Sequence, residues 1–251
     1  MVESVVSMEL REEEHIRING ANLTYYQQGR GNIILFLHGN SSDSYAFYDM
    51  YNYFSEKNRV IAIDSRGHGK SDNGYIPYSI RLLAADIIRF CEAKNLKDIT
   101  VVGYSDGGNI ALVMAAKKPE LIKKLIIISA NNKANGLKAW FRNGIRLYKL
   151  VLEIIKIIKI KSNSKTQFKL WRMNLMLKDI GVSMKDLNNL NVKTLIIGAE
   201  NDVIYRRHLL KIHKNIENSI LRIIKNTNHF NILLSQKTLE YINEFIKNND
   251  K

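Results

Sequence analysis

Gly103-Tyr104-Ser105-Asp106-Gly107 has the pattern G-x-S-x-G and separates two segments of different periodicity. Residues 99–102 before it are rich in β-branched apolar side chains, which is typical of a buried strand. Residues 108–116 after it favour a helix that ends near Pro119. A strand, a tight glycine turn and a helix together predict a nucleophile elbow, in which a strained Ser105 projects its hydroxyl above the sheet edge. The alternative is an ordinary turn that contains a serine.

A serine hydroxyl is a weak nucleophile and needs a base, which an acid must orient. Two later strand-like runs end in loops that carry these groups, Asp202 in one and His229 in the other. The order Ser, Asp, His along the chain is the one expected with this elbow. Asp202 is the preferred acid, with Glu200 as the alternative. His208 and His213 fall in a predicted helix and are expected at the surface.

A third strand-like run, residues 33–37, leads into His38-Gly39-Asn40. A tetrahedral oxyanion needs preorganised N–H donors, and removing one costs about 2.7–4 kcal/mol. The backbone N–H groups of Asn40 and Asp106 are the predicted pair. His38 precedes Ser105 where this loop begins, so we expect a structural role for it.

These segments together resemble the α/β-hydrolase family. The residues that carry the resemblance are His38-Gly39-Asn40, residues 64–71, residues 103–108, Asp202 and His229. The resemblance implies an α/β fold with a mostly parallel eight-stranded sheet, helices on both faces and a helical cap inserted after the strand that follows the elbow helix. We therefore expect a core of residues 1–130 and 187–251 and a cap of residues 131–186.

The chain departs from the family in one respect. Many members carry a proline a few residues beyond the acid, whereas here residues 203–206 contain none, which leaves the choice between Asp202 and Glu200 open. The nucleophile is serine, which argues against the dehalogenases and epoxide hydrolases of the family, because these use an aspartate.

The predicted chemistry is hydrolysis of a small or medium carboxylic ester through an acyl-enzyme, without a cofactor or metal. Other acyl-transfer enzymes on the same triad are the alternatives: thioesterase, amidase, amino-acid ester hydrolase, carbon–carbon hydrolase or acyltransferase. A ligand-binding protein without activity is a further alternative. The Asp106 carboxylate either binds a substrate amine or caps the elbow helix. The aromatic candidates for a substrate pocket are Tyr45, Phe47, Trp140, Phe141 and Trp171.

Length and composition agree with one domain. The chain has 251 residues, and 45% of them are apolar, enough for a core. Its single cysteine, Cys91, excludes an internal disulfide and favours a reducing, cytoplasmic location. The sequence shows neither a signal peptide nor an apolar run long enough for a membrane span. The oligomeric state is left open.

The predicted cap is strongly basic. Residues 138–178 hold eleven basic side chains and one acidic one, Glu153, and the whole chain carries a formal net charge of +14. One interpretation is a cap helix over the active site with a solvated outer face. The other is peripheral contact with an anionic membrane, since basic amphipathic helices favour such surfaces. Nucleic acid is not an expected partner, because no recognition motif accompanies the charge.

Overall fold

The computed structural model describes residues 12–158 and 164–248. Residues 1–11, 159–163 and 249–251, which the predicted core and cap include, lie outside this described part. The sheet has eight strands in the order β1-β2-β4-β3-β5-β6-β7-β8. The strands are β1 Glu13–Ile18, β2 Ala21–Gln28, β3 Ile33–Leu37, β4 Arg59–Ile63, β5 Ile99–Tyr104, β6 Ile122–Ile128, β7 Lys193–Asn201 and β8 Ser219–Asn228.

The helices alternate with the parallel strands. They are α1 Tyr48–Ser55, α2 Ile80–Ala93, α3 Asp106–Lys117, α4 Ala139–Ile158, α5 Ser164–Leu177, α6 Met184–Asn188, α7 Arg206–Asn215 and α8 Gln236–Lys247. Helices α2, α3 and α7 pack on one face of the sheet, and α1 and α8 pack on the other. The predicted mostly parallel sheet with helices on both faces is thereby confirmed.

Strand periodicity explains how one short segment serves both faces. Along β3, Leu35 and Leu37 belong to the core under α2 and α3, whereas Ile34 and Phe36 belong to the core under α1 and α8. Successive side chains of a strand point to opposite faces. A strand covered on both faces is therefore apolar throughout, which is why the central strands read as unbroken apolar runs.

One edge of the sheet is antiparallel. Asn19 and Gly20 have φ angles of 46° and 77° and join β1 to β2 in a two-residue hairpin. Such a turn requires positive φ at both central residues, which Asn and Gly adopt most readily. Strand β2 also pairs antiparallel with β4, and the pairs from β4 through β8 are parallel.

Helices α4, α5 and α6 lie between β6 and β7, where the cap was expected. The structure does not divide the chain into core and cap, so the boundaries at residues 131 and 186 stay a prediction. Within residues 12–158 and 164–248, no helix is both long enough and apolar enough to cross a membrane.

Candidate active site

Ser105 occupies the turn between β5 and α3 in a backbone conformation that serine rarely adopts, with φ 53° and ψ −118°. Glycine on either side makes the turn feasible. A Cβ at Gly103 would lie 2.4 Å from the Gly107 carbonyl oxygen, and one at Gly107 would lie 1.9 Å from the Leu37 carbonyl oxygen. No larger residue fits at either position, so the G-x-S-x-G pattern is a packing requirement of this turn.

The structure brings Ser105, His229 and Asp202 together from three loops at the carboxyl edge of the sheet. The Ser105 Oγ lies 3.1 Å from His229 Nε2, and His229 Nδ1 lies 2.8 Å from Asp202 Oδ1. Because the ionised carboxylate only accepts, Nδ1 carries a proton and donates it to Asp202. In neutral histidine Nε2 is then free to accept the serine proton, which is the arrangement that an activated serine needs.

The Asp202 carboxylate is buried and accepts four hydrogen bonds. Oδ1 also accepts the backbone N–H of Ile204, and Oδ2 accepts the Ser129 hydroxyl and the backbone N–H of Ala199. Burial raises the pKa of Asp202, but the hydrogen bonds from His229, Ser129 and Ile204 outweigh it, so the pKa lies below its usual value. The group therefore stays ionised opposite His229.

Two contacts that support the triad were not predicted from the sequence. Ser129, which directly follows β6, donates its hydroxyl to Asp202. The sequence signal for this contact is a hydroxyl residue at the end of the strand next to the one that carries the acid. Tyr104, immediately before Ser105, donates its hydroxyl to the His229 backbone oxygen at 2.6 Å. This bond holds the histidine loop against the elbow.

Glu200, the alternative acid, is exposed and accepts the backbone N–H of Asn226 at 2.9 Å. The histidine therefore contacts Asp202 and not Glu200, although no proline follows the aspartate.

The predicted oxyanion donors flank Ser105. A Cβ added at Gly39 would lie 3.2 Å from Ser105 Cβ, so the backbone that leads into Asn40 passes directly beside the serine. Asp106 is the first residue of α3, where backbone N–H groups have no partner within the helix. The Asn40 side chain donates to Asp106 Oδ2 at 2.8 Å and to the Arg172 backbone oxygen at 2.9 Å. It thus ties its loop to the elbow and to α5.

The Asp106 carboxylate is buried in the wall of the cavity. Burial raises its pKa, and the hydrogen bonds that it accepts from Asn40 and Asn109 oppose this shift without cancelling it. Both oxygens are occupied by these amides, at 2.8 Å and 3.0 Å. Asp106 is the first residue of α3 and Ser105 is its N-cap, so these side-chain contacts tie the elbow to Asn40 and Asn109 and do not match the predicted helix cap.

A cavity of about 370 Å³ opens at Ser105 and His229. Its apolar wall comes from the loop after β8 and from the cap region: Leu137, Phe141, Met176, Phe230, Leu233 and Leu234. Ligand cavities of this size accept small molecules.

Of the five aromatic candidates, Phe141 lines this cavity and the other four do not. Phe47 is fully buried against Phe36 in the core under α1, because its position before α1 faces the sheet. Trp171 packs edge-on between Tyr78 and Phe168.

Tyr45 stacks on Tyr48 and is 39% exposed. Trp140 is 66% exposed and packs edge-on against Phe141. The assignment of Tyr45, Phe47, Trp140 and Trp171 to the pocket is corrected accordingly.

The remaining histidines are structural or lie apart from the serine. His38 Nε2 accepts the Ser65 backbone N–H, and its Nδ1 donates to the Gly39 oxygen, so neither nitrogen is available as a base. His213 contacts the Ser219 hydroxyl. The expectation that His208 lies at the surface is wrong: it is buried, and burial lowers its pKa to about 4. His208 lies on the side of α7 that faces the segment before α4. A helical sequence pattern alone does not show which side of the helix this is.

In the described part of the chain, no group of three or more His, Cys, Asp or Glu residues is arranged to hold a metal ion.

Comparisons with known proteins show which family and fold the chain shares. A family model described as alpha/beta hydrolase fold matches residues 32–170. Ethanol acetyltransferase 1 of Cyberlindnera jadinii is 32% identical over 135 residues, which cover 53% of this chain and 39% of that protein. The 2-(acetamidomethylene)succinate hydrolase of Mesorhizobium japonicum is 31% identical over 113 residues, which cover 45% of this chain and 41% of that one. The chain thus spans about two fifths of the length of these relatives.

Among solved structures, the chain is similar to MGS-M2, an alpha/beta hydrolase enzyme from a Medee basin deep-sea metagenome library. The TM-score is 0.81 at 18% identity, and the match covers 95% of this chain and 98% of that one. At this identity the similarity shows a shared fold.

Proposed function

Since the chain belongs to the α/β-hydrolase fold family, we propose that it is a serine hydrolase that cleaves small or medium carboxylic esters through an acyl-enzyme on Ser105. One observation carries the proposal: on the elbow, the serine hydroxyl lies 3.1 Å from His229 Nε2, and His229 Nδ1 lies 2.8 Å from Asp202. A serine that only fills a turn does not need an oriented imidazole and a buried carboxylate behind it.

The mechanism follows from these contacts. Ser105 Oγ attacks the ester carbonyl carbon while His229 Nε2 takes the hydroxyl proton, and Asp202 stabilises the imidazolium. The backbone N–H groups of Asn40 and Asp106 stabilise the oxyanion. Collapse of the tetrahedral intermediate breaks the bond to the alcohol oxygen, which takes its proton from His229. Water, deprotonated by His229, then releases the acid and restores Ser105.

The cavity supports a substrate with a modest acyl group. Its volume of about 370 Å³ and its wall of leucine, methionine and phenylalanine side chains suit an apolar group, with the serine and histidine at one end. The other predicted acyl-transfer activities use the same nucleophile, base and oxyanion donors, so substrate identity separates them and the triad does not.

Transfer to an alcohol is the second candidate, because one relative is named an ethanol acetyltransferase. The acyl-enzyme is common to both reactions, and the acceptor decides the product. Adding ethanol to an acetyl ester assay separates them: an acetyltransferase forms ethyl acetate in preference to acetate, whereas a hydrolase forms acetate.

The test combines labelling and turnover. The intact protein is treated with a fluorophosphonate and analysed by mass spectrometry, alongside a panel of p-nitrophenyl esters of graded chain length. We expect labelling at Ser105 and turnover of the short esters, and loss of both in Ser105→Ala. Ser42→Ala is the matched control, since this hydroxyl lines the same cavity without contacting His229.

Labelling at Ser105 without ester turnover would retain the nucleophile and reject the ester substrate in favour of the other acyl-transfer activities. Absence of both, or turnover that survives in Ser105→Ala, would refute the proposal and favour a binding protein.

A further inference from the structure

Helix α4 presents an apolar surface to solvent. We call this surface the outer face of α4; it consists of Trp140, Leu147, Leu150, Val151, Ile154, Ile157 and Ile158, which are between 43% and 80% exposed. From Leu147 onward these residues recur at steps of three and four, so they form one stripe along the helix. The opposite side carries the buried residues Ile145 and Leu152, through which α4 packs onto the protein.

An exposed stripe of this kind needs a partner. Single exposed apolar residues are ordinary on protein surfaces, but contiguous patches mark interaction sites. The cap interpretation with a solvated outer face predicts polar side chains here. The structure shows branched aliphatic chains and a tryptophan instead.

The charges around the outer face identify the kind of partner. Helices α4 and α5 together carry seven basic residues and one acidic residue, a net charge of +6 from seven minus one. Among the basic residues, Arg146, Lys156 and Lys169 are exposed. The single acid, Glu153, lies 3.5 Å from Lys149 and is therefore partly neutralised.

The two helices are adjacent, which keeps these charges beside the apolar stripe. Lys156 near the end of α4 donates to Gln167 in the first half of α5 at 2.6 Å. An apolar strip flanked by cations matches an anionic lipid surface, in which acyl chains lie beneath negative headgroups.

We propose that the outer face of α4 docks on an anionic lipid surface, with the helix lying in the plane of the interface. A second copy of this chain is a poorer occupant, since it would bring two proteins of net charge +14 into contact through helices that are themselves basic. A nucleic acid would match the cations but offers no apolar surface for the stripe. A helix of 20 residues is about 30 Å long, so it offers lipid an extended line of contact.

Docking in this orientation would bring the candidate active site close to the lipid. The Trp140 ring packs edge-on against Phe141 at 5.5 Å between ring centroids, and Phe141 lines the cavity of Ser105. The cavity wall also includes Phe230 and Leu234, which are 72% and 75% exposed. The proposal does not depend on catalysis, and its test reads binding alone.

The experiment uses Trp140 as its own probe. In the 251-residue chain carrying Trp171→Phe, Trp140 is the single tryptophan, and phenylalanine keeps an aromatic ring between Tyr78 and Phe168. We add vesicles of phosphatidylcholine alone or with about one third phosphatidylglycerol. We expect a blue shift of the emission and at least about tenfold stronger binding to the anionic vesicles, weakened by high salt.

A charge placed in the stripe supplies the decisive comparison. Ile154→Glu lies in the middle of the outer face, and Leu210→Glu on α7 is the matched control, because Leu210 is also exposed, at 37%. Circular dichroism and thermal unfolding establish that both variants fold. We expect Ile154→Glu to weaken vesicle binding by about tenfold or more and Leu210→Glu to leave it within about twofold.

Equal binding by Ile154→Glu and Leu210→Glu, or no binding to anionic vesicles by the parent protein, would overturn the proposal. Sedimentation identifies the competing occupant: a dimer that Ile154→Glu converts to a monomer, without vesicle binding, would assign the face to a second copy.

Discussion

Replacing Asp202 with asparagine tests the acid of the proposed triad, which the sequence left open. The substitution keeps the side-chain shape but replaces one carboxylate oxygen with an NH₂ group. Each of the two oxygens of Asp202 accepts two hydrogen bonds. If the amide NH₂ faces His229, Nδ1 must accept and the proton moves to Nε2, which then cannot accept from Ser105. If the NH₂ faces Ser129, it meets the backbone N–H of Ala199, another donor.

The magnitude follows from what the carboxylate does in the transition state. The substituted amide has no charge to stabilise the imidazolium, and the orientation with its NH₂ towards His229 also gives the wrong histidine tautomer. We expect kcat to fall by about 10⁴-fold, equivalent to about 5.5 kcal/mol. Folding should be little affected, because three of the four hydrogen-bond donors keep a partner in one of the two amide orientations.

The assay measures both p-nitrophenyl ester turnover and the second-order rate of fluorophosphonate labelling, so the result does not depend on knowing the natural substrate. Glu200→Gln is the matched control: it also neutralises a carboxylate, at the end of β7 and two residues from Asp202, and we expect activity within about twofold of the parent. A loss below about tenfold in Asp202→Asn, or a larger loss in Glu200→Gln, would refute the assignment of the acid.

Three further predictions concern groups around the site. Asp106→Ala should lower kcat for neutral esters and amino-acid esters alike, by about tenfold, because two hydrogen bonds that order the elbow are lost. Parallel assays with both ester types measure this effect. A loss confined to amino-acid esters would assign the carboxylate to amine binding. Asp86→Asn should reduce the free energy of unfolding, measured by urea titration, by about 3–5 kcal/mol. The reason is that the buried Arg66 guanidinium loses a bidentate carboxylate partner, whose oxygens lie at 2.7 Å and 2.8 Å. A change below about 1 kcal/mol would contradict this. Burial lowers the pKa of His208 to about 4 and that of His68 to about 3, so the unfolded state binds protons more readily than the folded state. The free energy of unfolding should therefore be at its full value above pH 6.5 and fall as the pH drops below it. In urea titrations from pH 7 to pH 4, the slope of the free energy of unfolding against pH should be smaller in His208→Gln by up to about 1.4 kcal/mol per pH unit.

Local sequence was sufficient to predict the strands that carry the site and the helix that follows the elbow. A buried parallel strand must be apolar on both faces, so β3, β5 and β6 are recognisable as short aliphatic runs. The elbow is recognisable because its glycines are imposed by close backbone contacts, and the hairpin because Asn19-Gly20 suits positive φ. Each of these features depends on a few neighbouring residues.

The contacts within the site depend on lateral strand order and loop paths, which local sequence does not specify. Ser105 and His229 are 124 residues apart and meet because β5 and β8 end at the same edge of the sheet. The path of the loop after β7 turns Asp202 towards the histidine while Glu200 faces solvent.

The sequence by itself therefore determined the fold family, the elbow with Ser105, and His229 as the base of the proposed triad with an acid at Asp202 or Glu200, because these follow from periodicity, turn stereochemistry and chain order. Only the tertiary structure decided which carboxylate meets His229, that Ser129 supports it, and that Phe47 and Trp171 pack away from the cavity. It also decided that the apolar side of α4 faces outward. A helix that is apolar over much of its circumference has more than one side to bury, and only packing against α5 and the core selects between them.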